Sequence, residues 1–387
     1  MKNLAWKIPL FEIFWDDEDI AAVSKVIKRG MYWTCGPESK EFEKMIAEYI
    51  GTKYAVVFNS GTTALHAAIL AHKIKAENEV IVPSFTFIAT ANAILFVGAK
   101  PIFADIETKT FGLDPHDVKE KITRKTKAII PIHYGGSPCL IRELKEIAED
   151  HNLLLIEDAA ESIGAKIKDK KVGSFGDSAI LSFCQNKVVT TGEGGAVTTD
   201  SREIYDRLKL IRSHGRLENS DYFTAREPMD YITLGYNYRM SDITAALGLS
   251  QLAKIEEIIK MRRDKAEYVT KNLSKIKNLL PPKPFINYYF HVYQMYTVRV
   301  LKGKRMRDDL ANYLAEKGVM TKIYFSPVHL THFYKNELKY NCKLPVTEEM
   351  SEQVLTLPLY PSLTMEKMDY MINKIKTFFS PGGRRNE

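Results

Sequence analysis

Between Tyr54 and Thr199, short apolar and β-branched runs alternate with helical stretches, and this rhythm constrains the fold more than any other feature of the chain. Strand, crossover helix and strand in repeated order build a mostly parallel sheet covered on both faces. Strands are predicted at 54–58, 79–82, 100–104, 127–132, 153–157, 178–183 and 195–199, with helices at 63–71, 88–97 and 141–151. A strand buried on both faces reads as an unbroken apolar run, as Leu153, Leu154, Leu155 and Ile156 do.

A chain of 387 residues exceeds the size at which one core usually keeps growing, so two lobes are expected. A helical pattern over 242–275 leads out of the sheet region, and Pro281, Pro282, Lys283 and Pro284 break it. A strand at 294–301, a helix at 306–317, a strand at 319–324 and a final helix at 365–379 then suggest a smaller α+β lobe. We expect a large α/β domain over 1–250 and a small domain over 251–387, with the N-terminal segment free to pack on the small one.

Hydrophobic residues make up 45% and charged residues 27%, the balance of a soluble globular protein, and no apolar run is long enough to span a membrane. The first ten residues lack the apolar centre of a secretory signal, so a cytoplasmic enzyme is expected. Cys35, Cys139, Cys184 and Cys342 form no Cys-x-x-Cys pair, which argues against disulfides and against a metal site. The net charge of +7 comes from lysines spread along the chain. That suits solvated faces or an anionic substrate, and no motif supports nucleic acid as a partner.

Three motifs follow predicted strands. Asn59, Ser60, Gly61, Thr62 and Thr63 open a helix, where bare N–H groups beside a glycine and hydroxyls suit a phosphate, although a plain helix cap gives the same pattern. Glu157, Asp158, Ala159, Ala160 and Glu161 end the most apolar strand, and ligands bind at the carboxyl ends of such strands. A buried Asp158 there suits a protonated pyridine nitrogen, against the bland alternative of a capping aspartate. Ser182 to Lys187 place a lysine just past a buried strand, where its amine can lose its proton and become a Schiff-base nucleophile, against the ordinary alternative of a surface lysine. Phosphate cradle, ring-nitrogen acid and Schiff-base lysine arrive in the order that a pyridoxal-phosphate (PLP) site needs.

With these motifs, and with Pro83 to Phe87, Arg212 to Gly215, Gly235 to Met240 and Leu357 to Pro361, the chain resembles the DegT, DnrJ and StrS nucleotide-sugar aminotransferases over nearly its whole length. The resemblance implies a fold type I PLP-dependent transferase with a mostly parallel central sheet. It implies that Gly61, Thr62 and Ser182 bind the phosphate, that Phe87 stacks on the ring and that Asp158 pairs with the ring nitrogen. Lys187 would hold the cofactor covalently and move the proton. Glu161 stands where relatives often carry Gln beside the ring oxygen. Asn237 would reach the phosphate of a neighbouring subunit, making a homodimer with shared sites. His214, Arg239 and His329 are candidates for substrate contact, and His133 ends a strand near the cofactor.

The implied reaction takes an amino group from an amino acid, expected to be glutamate, to a keto group of a nucleotide-linked deoxysugar. The residues around Lys187 resemble enzymes that aminate C4 of GDP-4-keto-6-deoxymannose; a C3 aminotransferase, a UDP- or dTDP-sugar enzyme and a non-catalytic PLP-binding sensor are the alternatives. Lys187 speaks against a dehydratase, which carries His at that position. The lack of an early Gly-x-Gly-x-x-Gly speaks against a dinucleotide oxidoreductase.

Overall fold

The computed structural model describes residues 6–217, 230–284 and 288–380. Helices α1 (Asp17–Arg29) and α2 (Pro37–Ile50) precede the sheet. Strands β1 (Tyr54–Phe58), β2 (Glu79–Pro83), β3 (Lys100–Ala104), β4 (Thr126–Ile129) and β5 (Leu154–Asp158) then alternate with α3 (Gly61–Ala71), α4 (Ala89–Leu95), α5 (Pro115–Lys121) and α6 (Ile141–Asp150). A short ribbon of β6 (Lys166–Ile167) and β7 (Lys170–Lys171) leads to β8 (Ser178–Ser182), β9 (Gly195–Thr199) and α7 (Arg202–Arg212).

The central sheet runs in the order β1-β9-β8-β5-β4-β2-β3. Every strand is parallel to the others except β9, which lies antiparallel between β1 and β8. The reason is local: parallel neighbours need a crossover, usually helical, and the link from β8 to β9 is a helix-free loop that turns straight back. That loop carries Lys187.

Side chains alternate across a strand, and here both sets are apolar. Val57, Ile81, Ile129, Leu155 and Leu181 enter a core shared with α2 and α6, whereas Val56, Val80, Ala128, Ile156 and Ile180 enter a second core under α3, α4 and α7. The sheet is the middle of three layers, and the carboxyl ends of β1, β2, β5 and β8 emerge along one edge.

The single helix expected over 242–275 is two, α8 (Asp242–Ala253) and α9 (Ile255–Leu273). The chain leaves helical geometry at Lys254, whose ammonium is drawn to Asp16 and Asp19 at the start of α1. The break lets α9 begin in the sheet's core with Ile255, Ile258 and Ile259 and finish in another with Ala266, Val269 and Leu273.

That third core is closed by β10 (Leu279–Leu280), β12 (Tyr296–Val300), α10 (Gly303–Glu316), β13 (Val354–Leu357) and α12 (Met365–Phe379), with β11 (Tyr289–Phe290) pairing back onto β6 and α11 (Pro345–Gln353) leading into β13. The segment expected to be a strand at 319–324 makes single bridges instead. Its two ends meet different partners: Val319 pairs with Ile8 and Lys322 with Thr356. Ile8 also joins this core. Among the described residues, no helix is long and apolar enough to cross a membrane.

Candidate active site

The first wall of the site is the start of α3. Ser60 caps the helix: its hydroxyl accepts the Thr63 N–H at 3.2 Å, and the Thr63 hydroxyl accepts the Ser60 N–H at 3.2 Å. This reciprocal cap takes up the Thr63 N–H and leaves Gly61 and Thr62 at the positive end of the helix, where amides have no partner within the helix. Gly61 keeps this approach close. A Cβ there would lie 3.0 Å from the Ser182 Cβ and 3.1 Å from its Oγ, so any other side chain would push the Ser182 hydroxyl back from the amides by a few tenths of an ångström. Two bare amides and a hydroxyl around a side-chain-free position fit a phosphate group.

The second wall is the end of β5. Asp158 is 3% exposed; its Oδ2 accepts the Thr90 hydroxyl at 2.7 Å and its Oδ1 the Ala160 N–H at 3.2 Å. Burial pushes this carboxyl above the ordinary range, while the Thr90 and Ala160 bonds pull it back; Glu161 adds repulsion and Lys187 attraction. Phe87, one turn before Thr90, is 58% exposed, unusual for a ring beside a buried acid and suited to covering a flat ligand.

The third wall is the loop after β8. Phe183 accepts the Thr191 N–H at 2.9 Å and the Thr190 hydroxyl at 3.2 Å on its carbonyl, which pins the loop's base. Gln294, from the turn before β12, donates its Nε2 to the Asn186 carbonyl at 2.7 Å. Lys187 is thus aimed inward, and its Nζ stands 3.5 Å from Glu161 Oε1. The other Glu161 oxygen accepts the Gly135 N–H at 3.0 Å. A nearly buried lysine, a buried acid and an anion cradle at one sheet edge form the donor set that PLP requires.

Five further residues stand outside this cluster. His133 is fully buried, with Nδ1 accepting the Cys139 N–H at 3.1 Å and Nε2 bonded to Glu157 at 2.9 Å, so both ring nitrogens are used within the protein. His329 lies against Ser84 at 2.7 Å and Glu348 at 3.4 Å; burial depresses its pKa, with Glu348 opposing. His214 is exposed, and Arg239 donates to Ser213 Oγ at 3.2 Å. Asn237 is exposed as well; its backbone bridges Ser213, and its carbonyl accepts the Asn59 amide at 3.4 Å, beside the phosphate cradle.

Thr90, Gly135 and Gln294 were not singled out in the sequence. Each acts on a site residue from a distant segment, and no local pattern marks them.

Residues 15–376 match the DegT/DnrJ/EryC1/StrS aminotransferase family. The chain belongs to that family. It is 38% identical over 341 residues to the GDP-perosamine synthase of Escherichia coli O157:H7, covering 88% of this chain and 90% of the relative. Among solved structures it superposes on Helicobacter pylori PseC, an aminotransferase involved in the biosynthesis of pseudoaminic acid, with a TM-score of 0.89 at 28% identity, covering 98% and 99% of the two chains. The PLP form of Spr1654 from Streptococcus pneumoniae matches with a TM-score of 0.90 at 28% identity, covering 96% and 98%. This chain is a PLP-dependent sugar aminotransferase with the fold type I architecture.

Proposed function

We propose that this aminotransferase moves an amino group from glutamate to C4 of GDP-4-keto-6-deoxymannose, with Lys187 and Asp158 as its catalytic residues. The observation that carries the assignment of residues is the meeting of Gly61, Ser182, Asp158 and Lys187 along one sheet edge. PLP, when bound, supplies the electron sink that makes the donor's α-hydrogen acidic. Gly61, Thr62 and Ser182 would hold its phosphate, Asp158 its ring nitrogen, Phe87 its face, and Lys187 its carbonyl carbon. Glu161 would stand beside the ring oxygen while its other oxygen stays on Gly135.

Once the donor displaces it, the Lys187 amine would take the proton from the donor's α carbon and return it to the cofactor's carbonyl-derived carbon, on the far side of the nitrogen they share. Glu161, 3.5 Å off, keeps that amine within the pocket between its two tasks. The reverse sequence aminates the sugar. Support for the GDP sugar comes from the relative named GDP-perosamine synthase, and Arg239 and His214 are placed by us toward the anionic part of the substrate.

A panel of GDP-, UDP- and dTDP-linked keto sugars with glutamate, read by mass spectrometry, tests the substrate. Amination of the GDP sugar at C4 is expected; amination at C3, or of a UDP or dTDP sugar, replaces this substrate, and no turnover with any of them overturns the nucleotide-sugar assignment. Borohydride reduction of the holoenzyme should fix the cofactor on Lys187, and label on another lysine would overturn the site.

We further propose a homodimer in which Asn237 completes the partner's phosphate site. Tyr231, Ile232 and Leu234 are exposed on the segment leading to Asn237, and Met31 and Trp33 are exposed beside it, the Trp33 carbonyl accepting the Asp242 N–H at 2.8 Å. Apolar surface of this kind marks a contact face. A two-fold interface makes the exchange reciprocal. Mixing Lys187→Ala chains with Asn237→Trp chains should give heterodimers with one intact site and activity recovering toward half that of the wild-type dimer; demonstrated heterodimers without recovery would place Asn237 outside a shared site.

A further inference from the structure

Asp158 is an acid in an environment that favours its neutral form. It is nearly fully buried, the Glu161 carboxylate is close enough to repel it, and Lys187 attracts it. A neutral carboxylic acid offers a pyridinium no opposite charge, so the usefulness of Asp158 depends on what keeps it ionised. The Ala160 N–H is one such contact, long at 3.2 Å. The other is shorter and comes from a different element.

Thr90 lies in the first turn of α4, and its hydroxyl meets Asp158 Oδ2 at 2.7 Å. Thr90 Oγ1 is also 2.9 Å from the Thr86 hydroxyl and 3.1 Å from the Phe87 carbonyl. Thr86 and Thr90 are each 1% exposed, so water does not compete for these bonds. A hydroxyl has one hydrogen to give. If that hydrogen goes to Asp158, the Thr86 hydroxyl donates to Thr90, and the chain Thr86 to Thr90 to Asp158 points every donor at a carboxylate. If Asp158 is protonated instead, it donates to Thr90, and the Thr90 hydrogen falls back on the Phe87 carbonyl. Of the three oxygens around the Thr90 hydroxyl, Asp158 Oδ2 is the nearest, at 2.7 Å against 2.9 and 3.1 Å, and a bond to the charged carboxylate is the stronger use of its hydrogen.

We propose that Thr90, backed by Thr86, is the positioning residue that holds Asp158 as a carboxylate facing the cofactor's ring nitrogen. The inference rests on the reading that Asp158 pairs with that nitrogen. It adds a consequence of placement: Phe87 is carried between the two threonines, so one short segment sets both the acid and the ring that covers the cofactor. With Thr90 fixing one oxygen and Ala160 the other, the carboxylate plane is set before the cofactor arrives.

The test uses holoenzyme loaded with PLP labelled at the ring nitrogen, whose NMR shift reports whether that nitrogen carries a proton. Thr90→Val keeps the shape of the side chain and removes the hydroxyl; the nitrogen signal should move toward the unprotonated position at neutral pH, and cofactor retention should weaken roughly tenfold. Thr90→Ser should restore both. Asp158→Asn run in parallel separates the two readings: an unchanged signal in Asp158→Asn overturns the placement of Asp158 and the role of Thr90 with it. A shifted signal in Asp158→Asn beside a wild-type signal in Thr90→Val overturns the role of Thr90 alone. Failure of Thr90→Ser to restore the signal would also overturn it, by making side-chain shape the cause. Should Thr90→Val not fold, Thr86→Val leaves Thr90 in place and removes the donor behind it; a smaller shift in the same direction is expected, and no shift overturns the proposal.

Discussion

Glu157 and Asp158 are neighbours on β5, both buried, and they point to opposite faces of the sheet. Glu157 is saturated. It accepts N–H groups from Gly173 at 2.8 Å, Phe175 at 2.6 Å and Gly176 at 2.8 Å, and the His133 ring at 2.9 Å. Asp158 has one hydroxyl and one amide. Burial acts on both, but at Glu157 it is outweighed by His133 and by the Gly173 and Gly176 amides, which hold the carboxyl below its ordinary range, whereas Asp158 stays above its own. A buried acid with every lone pair spent is structure. One with lone pairs to spare, at a strand's carboxyl end, is placed to meet a ligand.

Neutralising each acid in turn should separate the two roles. Asp158→Asn should leave the fold nearly intact and lower turnover roughly a hundredfold or more, because an amide cannot hold a charged ring nitrogen. Glu157→Gln should do the reverse. One carboxylate oxygen of Glu157 takes Gly173 and His133 and the other takes Phe175 and Gly176, so either orientation of an amide turns its NH2 against two donors. The expected cost is about 3 kcal/mol of stability, read by denaturant unfolding, with turnover per folded molecule near wild type. An active Asp158→Asn enzyme, or a stable but inactive Glu157→Gln enzyme, would erase the distinction.

The sequence carried the three walls of the site because each is local: a cap and glycine after β1, an acid after the apolar run of β5, a lysine in the loop after β8. It also carried the alternation of strands and helices, since buried parallel strands announce themselves as apolar runs. What it missed is set by packing between distant segments. Thr90 reaches Asp158 across 68 positions, Gly135 meets Glu161 across 26, and Gln294 holds the Asn186 carbonyl across 108. The break between α8 and α9 has the same origin, since the residues beside Lys254 that explain it are Asp16, which caps α1, and Asp19 in its first turn. His133 shows the converse: it ends a strand near the site, and both of its ring nitrogens are bonded as those of a core histidine are.

The smallest expected effect concerns the cofactor-free protein, and it sharpens the comparison because the two acids should act with opposite sign. Glu157 has a folded pKa below its unfolded value of about 4.3, so its contribution to stability is complete above that value and is lost as pH falls toward the folded one. Asp158 has a folded pKa above its unfolded value of about 3.9, so its ionised form costs stability at neutral pH, and the cost is relieved as pH falls through the folded value. Cofactor-free Asp158→Asn should therefore melt slightly higher than wild type at neutral pH, with the gap closing on acidification. Glu157→Gln should melt lower at neutral pH, and its gap should also narrow in acid, from the opposite side. Melting curves of the three proteins over a pH series measure both. A cofactor-free Asp158→Asn protein less stable than wild type at neutral pH would mean that the Asp158 carboxylate is already satisfied by Thr90 and Ala160, and the contrast with Glu157 would then lie only in which of them a ligand can reach.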